Sequence, residues 1–292
     1  MVAFTRRIKY LALAVVVVLA TSVPFAGRVP AAHAQLFGMS EQEEIRIGRE
    51  VQSQLAIKPG FVHDPAQTKY VAHIGLQLAR VSERPNLPWT YRILNDSQVN
   101  ALAAPGGYVF VTSGLLRFVK SDNELAFVLG HETTHIAHRH AVDLAQRQLE
   151  LQLGAALITQ VLFGGNLTAY QLSQVAGALI GAQYSREKEY EADHFGVIFA
   201  RKAGFDPTAS LAFFERLQAL EQKQGALGSA FASHPPTPDR IKAIHDELRQ
   251  MGYQVAGPSA PDSPSAVQQV RPVNRVTVLG PRISGGDAYS DR

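Results

Sequence analysis

Cysteine is absent from all 292 residues of the sequence. Its absence excludes disulfide bonds, and it also excludes a lipid anchor attached through a cysteine thiol. The fold must therefore be held together by side-chain packing and by any metal ion that the chain binds.

A strong net charge is also lacking. The formal net charge is only +3, and the signal-like N-terminus described below contributes four basic residues and no acidic one. Without those four charges the net charge falls from +3 to −1. Neither value is typical of a nucleic-acid-binding protein, so no nucleic-acid partner is expected.

Apolar runs are short everywhere except near the N-terminus. There, Arg6, Arg7 and Lys9 precede the apolar residues 10–20, and small residues follow at Ala32-His33-Ala34. This pattern is typical of a secretory signal peptide covering residues 1–34. Cleavage after Ala34 would give a periplasmic or otherwise extracytoplasmic protein, whereas an uncleaved segment would anchor it in the membrane.

Two further segments lie outside the regular pattern of the chain. Residues 149–184 contain two apolar stretches broken by a Phe-Gly-Gly-Asn sequence and interrupted by glutamines. Neither stretch reaches the roughly 18 residues of a spanning helix, which favours a helical hairpin packed on the domain over a lid or membrane-surface element. Residues 256–292 are rich in Pro, Ser and Gly, which predicts a flexible tail. The main domain is therefore assigned to residues 35–255.

Helices dominate the predicted domain. Cap residues followed by apolar positions at helical spacing predict helices over Ser40 to Ala56 and from Asp64-Pro65, Ser121, Ser185, Asp206-Pro207 and Thr237-Pro238. β-Branched and aromatic residues in Trp89 to Leu94 and Tyr108 to Thr112 predict two or three strands between Pro88 and Ser113. No helical repeat follows the domain. The expected fold class is α+β and predominantly helical, with a small sheet.

The sequence His131-Glu132-Thr133-Thr134-His135 lies within the helix that Ser121 begins. Residues four positions apart share one helix face, so both imidazoles can reach one ion. Zinc binds imidazole readily, and a catalytic zinc takes three protein ligands and leaves one position open. Glu132 would lie near that open position, where it could serve as the general base.

A third ligand must come from elsewhere in the chain. The metzincin pattern is excluded because His138 stands where it requires glycine and Ala141 stands where it requires histidine. The acidic segment 187–193 offers several carboxylates, among which Glu189 and Asp193 share a helix face. Glu189 could bind the metal while Asp193 accepts the second ring proton of a histidine ligand. Alternatively, this segment is a solvated helix face.

Taken together, HETTH and the later SREKEYEAD resemble the gluzincin zinc metallopeptidases that include HtpX, the CAAX prenyl endopeptidase and several periplasmic bacterial proteases. The resemblance extends from about Ser40 to Met251. It implies a zincin-like metalloprotease domain with a small sheet beside the active-site helix. It also implies one zinc ion per chain, held by His131, His135 and Glu189.

The resemblance suggests further site residues. A histidine at the place of His234 lies near the metal in such enzymes, where it either assists the oxyanion or occupies the open metal position. Arg240 is expected to anchor the loop of His234 or to stabilise developing charge, and Asn100 is expected to bind substrate backbone. The sheet edge around Tyr108 to Thr112 could receive an extended substrate by strand addition.

The sequence thus predicts a zinc endopeptidase of the stand-alone periplasmic type. The expected partners are polypeptides, in particular unfolded or mis-assembled envelope and outer-membrane proteins, with the membrane surface as a further candidate. A chaperone-like binder of unfolded envelope proteins, in which the zinc site is structural or repressed by His234, is the alternative. Membrane tethering by the N-terminal segment is a third.

Overall fold

The computed structural model of the chain describes residues 39–148, 167–224 and 233–255. Nine helices and three strands are found in this part of the chain. They are α1 (Glu41–Ile57), α2 (Pro65–Val81), β1 (Thr90–Leu94), β2 (Ala101–Ala104), β3 (Tyr108–Thr112), α3 (Ser113–Phe118), α4 (Asp122–Ala137), α5 (which includes residues 140–148), α6 (Ala169–Leu179), α7 (Arg186–Lys202), α8 (Ala209–Gln224) and α9 (Pro238–Gln250). The predicted class, α+β and mainly helical with a small sheet, is confirmed.

Five of the six helix starts that the sequence predicts are observed, whereas α8, predicted from Asp206-Pro207, begins at Ala209. Ser40 Oγ accepts from the Glu43 amide at 3.2 Å at the start of α1, and Ser121 Oγ accepts from the Glu124 amide at 3.3 Å at the start of α4. Asp64 and Thr237 cap α2 and α9 in the same way, each followed by a proline in the first turn. These side chains satisfy amides that have no partner within the helix itself.

The strand order of the sheet is β1-β3-β2. β1 pairs with β3 in parallel, and β2 pairs with β3 antiparallel through a turn in which Gly106 and Gly107 have φ values of 77° and 96°. Glycine adopts this left-handed region without steric cost. The sequence prediction that residues 108–112 offer an open edge is wrong, because β3 is central and both of its sides are already paired.

The sheet has helices on both faces. Side chains alternate along the strands: Val109 and Val111 of β3 join a cluster with α2, α4, α7, α8 and α9, whereas Tyr108 and Phe110 join a second cluster with α1, α5 and α6. This alternation follows from the two-residue period of a strand. Both faces of the sheet are therefore buried.

Helices α4 and α7 pack against each other with almost no side-chain layer between their backbones. A Cβ atom on Gly130 of α4 would lie 3.0 Å from the carbonyl oxygen of Gly196, and one on Gly196 of α7 would lie 3.1 Å from the His131 nitrogen. Glycine at both positions permits this approach. The crossing brings the motif of α4 next to the acidic segment of α7.

Several sequence predictions fall outside the described residues. These are the signal peptide over residues 1–34, the tail over 256–292 and the first hairpin segment with its break, residues 149–166, all of which stay predictions. The assignment of the domain to residues 35–255 also stays a prediction. The second hairpin segment includes helix α6. Within the described ranges, none of the helices is both long enough and apolar enough to cross a bilayer.

Candidate metal centre

The imidazole rings of His131 and His135 lie on one face of α4, one helical turn apart, and both are buried. Their Nε2 atoms are 3.0 Å apart. Glu189, in the first turn of α7, brings its carboxylate to the same place: Oε2 is 3.6 Å from His131 Nε2, and Oε1 is 3.6 Å from His135 Nε2. Two nitrogens and a carboxylate thus surround one point.

These separations suit a metal ion. Ligand atoms bound to zinc at 2.0–2.1 Å in a tetrahedron lie about 3.3 Å from one another, and the three observed distances fall on either side of that value. Burial, together with nearby positive charge, lowers the pKa of His135 well below the usual range. The ring is therefore neutral, which is the form that binds a metal. The donor set fits zinc.

The outer nitrogen of His131 is held by a buried ion pair. His131 Nδ1 lies 3.0 Å from Asp193 Oδ1, and the Arg240 guanidinium donates to both Asp193 oxygens at 2.7 Å. Burial opposes ionisation of Asp193, but Arg240 and His131 together outweigh it and lower the pKa of the carboxyl. An ionised Asp193 keeps the proton of His131 on Nδ1 and leaves Nε2 as the ligand atom.

Arg240 also forms hydrogen bonds to the loop that precedes α9. Its Nη1 lies 2.8 Å from Glu189 Oε2 and donates to the carbonyl oxygens of His234 at 3.2 Å and Pro235 at 3.0 Å. One side chain therefore joins the acidic helix to the loop of His234. The predicted role of Arg240, as the anchor of that loop or as a stabiliser of developing charge, stays a prediction.

The ring of His234 completes the cluster. Its Nδ1 is 2.8 Å from Glu189 Oε1 and 3.3 Å from His131 Nε2, while its Nε2 is 3.5 Å from Glu132 Oε1. Burial disfavours the charged form of Glu189, but His234, His131 and Arg240 together outweigh it and lower the pKa of Glu189 to about 2. Four side chains, His131, His135, Glu189 and His234, are thus close enough to hold one ion.

The carboxylate of Glu132 is buried and accepts no hydrogen bond from the described residues. Its exposed fraction is 0%, and no described residue donates a hydrogen bond to either of its carboxylate oxygens. Burial raises the pKa of Glu132, although His234 and His131 oppose the shift. A buried carboxylate without a donor is costly in a purely structural role. Such a carboxylate is typical of a catalytic or ligand-binding site.

Comparison with known proteins agrees with this geometry. The model of the family described as Peptidase family M48 matches residues 65–248, more than half of the chain. The chain belongs to peptidase family M48. The resemblance drawn from HETTH and SREKEYEAD is thereby confirmed, and the M48 match includes every residue of the metal cluster.

Curated relatives span several kinds of M48 protein. The chain is 30% identical over 219 residues to a putative beta-barrel assembly-enhancing protease of Vibrio cholerae serotype O1, covering 71% of this chain and 44% of that protein. It is 32% identical over 182 residues to the mitochondrial metalloendopeptidase OMA1 of Schizosaccharomyces pombe, covering 62% and 53%. Metalloprotease YcaL of Escherichia coli K12 is 37% identical over 164 residues, covering 55% and 63%. The chain spans about half the length of the curated relatives it matches.

Asn100 lies at the edge of this M48 site, just before β2. Its Oδ1 accepts a hydrogen bond from Ser233 Oγ at 2.9 Å, and the same hydroxyl donates to the Ala101 carbonyl oxygen at 3.3 Å. Asn100 therefore holds the residue next to His234. The predicted contact of Asn100 with substrate backbone stays a prediction.

Two groups near the candidate metal ligands are not singled out by the sequence. The Tyr184 ring stacks on His135 with centroids 3.8 Å apart and 15° between the ring planes. His140, at the start of α5, places Nδ1 3.0 Å from His135 Nδ1. Neither residue shares a helix with the motif, so helical spacing does not reveal them. A further histidine five residues after His135 is the one available signal.

Proposed function

We propose that this chain is a zinc-dependent endopeptidase with one zinc ion held by His131, His135 and Glu189. The proposal is supported by one observation above all. Two imidazoles and a carboxylate converge at ligand spacing beside a buried glutamate that accepts no hydrogen bond from the described residues. Membership of a peptidase family agrees with this conclusion.

Zinc in such a site supplies Lewis acidity, which polarises a peptide carbonyl and makes a water molecule acidic enough to attack near neutral pH. The chain supplies the proton transfer. Glu132 takes the proton of the attacking water and later returns it to the leaving amine. The raised pKa of Glu132 suits this task, because burial increases its affinity for the proton.

The remaining site residues are assigned to orientation and charge. Asp193 keeps His131 in the tautomer whose Nε2 faces the metal position, and Arg240 holds Asp193 ionised. His234 lies on the same side as Glu132, where a protonated ring would stabilise the negative charge that develops on the carbonyl oxygen. Its pKa is raised by Glu189 and Glu132 even though burial lowers it.

An extended substrate is proposed to pair with β2 rather than with β3. β2 is an edge strand that contacts α4, and three of its four residues are alanine; because all four are buried, pairing with a peptide requires the groups that cover this edge to move aside. Strand addition would bind and orient the peptide through its backbone, without selecting particular side chains, which suits unfolded segments. Asn100, at the start of this edge, would contact the same backbone.

The substrates and compartment are proposed from the relatives and from the N-terminus. Relatives named as beta-barrel assembly-enhancing proteases suggest mis-assembled outer-membrane proteins as substrates. The signal-like sequence before Gln35 agrees with action in the periplasm. Degradation of misfolded envelope proteins would follow from both.

The proposal is tested with the purified chain, casein and zinc. We expect Glu132→Gln to bind zinc as tightly as the wild type but to cleave casein about 10²- to 10⁴-fold more slowly, because it loses the general base. Glu187→Gln, the same change at an exposed position of α7, serves as the control and should cleave normally. A metal chelator should stop the wild type, and added zinc should restore it. Normal turnover by Glu132→Gln would refute the assignment.

The position of His234 also supports a second candidate, a binder of unfolded chains whose catalysis is repressed. Its Nδ1 lies 2.8 Å from Glu189 Oε1 and 3.3 Å from His131 Nε2, so the ring would fill the metal position that a substrate needs. A repressed binder leaves casein intact with and without chelator, and His234→Ala would switch cleavage on. Under the proposed endopeptidase, His234→Ala lowers cleavage instead.

A further inference from the structure

His140 lies directly behind the second histidine of the metal cluster. Its side chain is buried, with 1% of the residue exposed. The chain turns at Arg139, whose φ is 61°, and this turn between α4 and α5 points the imidazole of His140 back towards α4. Its Nδ1 lies 3.0 Å from His135 Nδ1, and its Nε2 lies 3.1 Å from Glu191 Oε2 on α7.

The positions of the protons follow from this geometry. His135 Nε2 faces the other ligand atoms, so a neutral His135 that binds a metal carries its hydrogen on Nδ1. Two N–H groups cannot face each other at 3.0 Å, so His140 Nδ1 must accept that hydrogen. The hydrogen of His140 then resides on Nε2, from which it is donated to Glu191.

We propose that His140 and Glu191 are positioning residues that fix the tautomer and the ring orientation of His135 for metal binding. They do for His135 what Asp193 and Arg240 do for His131. The inference rests on the proposed metal site but concerns different residues. An imidazole acceptor is an uncommon partner here, since carboxylates and backbone carbonyls usually accept the outer proton of a metal-bound histidine.

The same region has the donor set of a second metal site. His138 Nδ1 lies 2.6 Å from Glu191 Oε1, so His138, His140 and Glu191 could together surround an ion. Binding through His140 Nε2 would move the hydrogen of His140 to Nδ1, opposite the Nδ1 hydrogen of His135. A second ion therefore competes with metal binding by His135, and the positioning role is the arrangement compatible with the first site.

The test compares two replacements of nearly equal size at His140. Asn keeps an oxygen acceptor close to the position of Nδ1, whereas Leu offers none. We expect His140→Leu to weaken zinc binding 10- to 100-fold, the usual loss when such a partner is removed, and His140→Asn to remain within about threefold of the wild type. Zinc affinity is measured on the full chain by competition with a chromogenic chelator.

A purely structural role is separated by unfolding the metal-free proteins. Because Asn and Leu leave similar space, a packing defect would lower the melting temperature and the zinc affinity of both variants. Equal zinc affinity for wild type and His140→Leu would overturn the proposal, as would equal losses in the two variants.

Glu191→Ala, matched by Glu187→Ala on the exposed part of α7, keeps the proposal testable if His140→Leu does not fold. We expect weaker zinc binding by Glu191→Ala and unchanged binding by Glu187→Ala; equal affinities would overturn it. Two zinc ions bound together in the wild type, with one lost in His138→Ala, would also overturn it. Failure of the wild type to bind any zinc would instead refute the proposed function.

Discussion

Arg240 is the residue on which the buried charge of the site depends. Asp193 and Glu189 are both almost fully buried carboxylates, and Arg240 lies 2.7–2.8 Å from an oxygen of each. Removing one partner of a buried ion pair leaves the other charge without compensation, which costs more than the pair contributes when it is intact. Its contacts to the loop carbonyls add to this dependence.

We therefore expect Arg240→Met to lower the free energy of unfolding of the metal-free protein by about 3–5 kcal/mol. Urea unfolding in the presence of a chelator measures this loss without a contribution from bound metal. Arg249→Met, an exposed arginine on the same helix, is the control and should change stability by less than about 0.5 kcal/mol. Similar losses in both variants would contradict the pairing argument.

The candidate site residues that helical spacing identifies are those that share one face of a single helix. His131, Glu132 and His135 follow from helical spacing in one segment, and Glu189 with Asp193 from the same spacing in another. His140 and Tyr184 belong to the surroundings of His135 only because the chain turns back after α4 and α7 crosses it. Such proximity arises from tertiary packing, which local periodicity does not encode.

At the scale of elements, the crossing of α4 and α7 sets the distance between the histidines and Glu189. Gly130 and Gly196 face each other where the two backbones approach, and neither has room for a Cβ atom without displacement of the other helix. The metal cluster lies within two turns of this contact. Any change in the distance between α4 and α7 would therefore change the distances between the candidate ligand atoms.

Gly196→Ala tests this dependence. The new Cβ atom would meet backbone, which cannot rotate away, so we expect a loss of about 1–3 kcal/mol in stability together with weaker zinc binding. Gly177→Ala in α6 is the matched control, because its nearest neighbour is a flexible glutamine side chain at 3.5 Å. That variant should gain about 0.5–1 kcal/mol from helix propensity. Unfolding in urea and zinc titration report the two effects.

The strand order of the sheet could not be predicted from the sequence. β1 and β3 are recognisable from their β-branched and aromatic residues, and β2 is not, because Ala-Leu-Ala-Ala has little strand propensity. Without β2, strand order cannot be deduced, and β3 is mistaken for an edge. The antiparallel pairing with β3 supplies the stability that the sequence of β2 lacks.

At the scale of the whole described domain, the metal cluster lies between two helices that both contribute apolar side chains to one buried cluster. Val128 and Leu129 of α4 and Val197 and Phe199 of α7 are fully buried in it. The helical pattern of the sequence is sufficient to predict this fold class. The convergence of imidazoles and carboxylates needs the complete packing, so metal binding should depend on the folded domain and stabilise it in return.

Zinc should accordingly raise the melting temperature of the wild-type chain. A ligand present at 100 times its dissociation constant stabilises the folded state by about 2.7 kcal/mol, which corresponds to about 5–10 °C for a domain of this size. Scanning calorimetry with zinc and with chelator measures the difference. Glu132→Gln keeps all three ligands and should show the same rise, whereas His135→Ala should show little. An equal rise in His135→Ala would place the ion elsewhere, because loss of a ligand at the proposed centre must reduce the affinity on which this stabilisation depends.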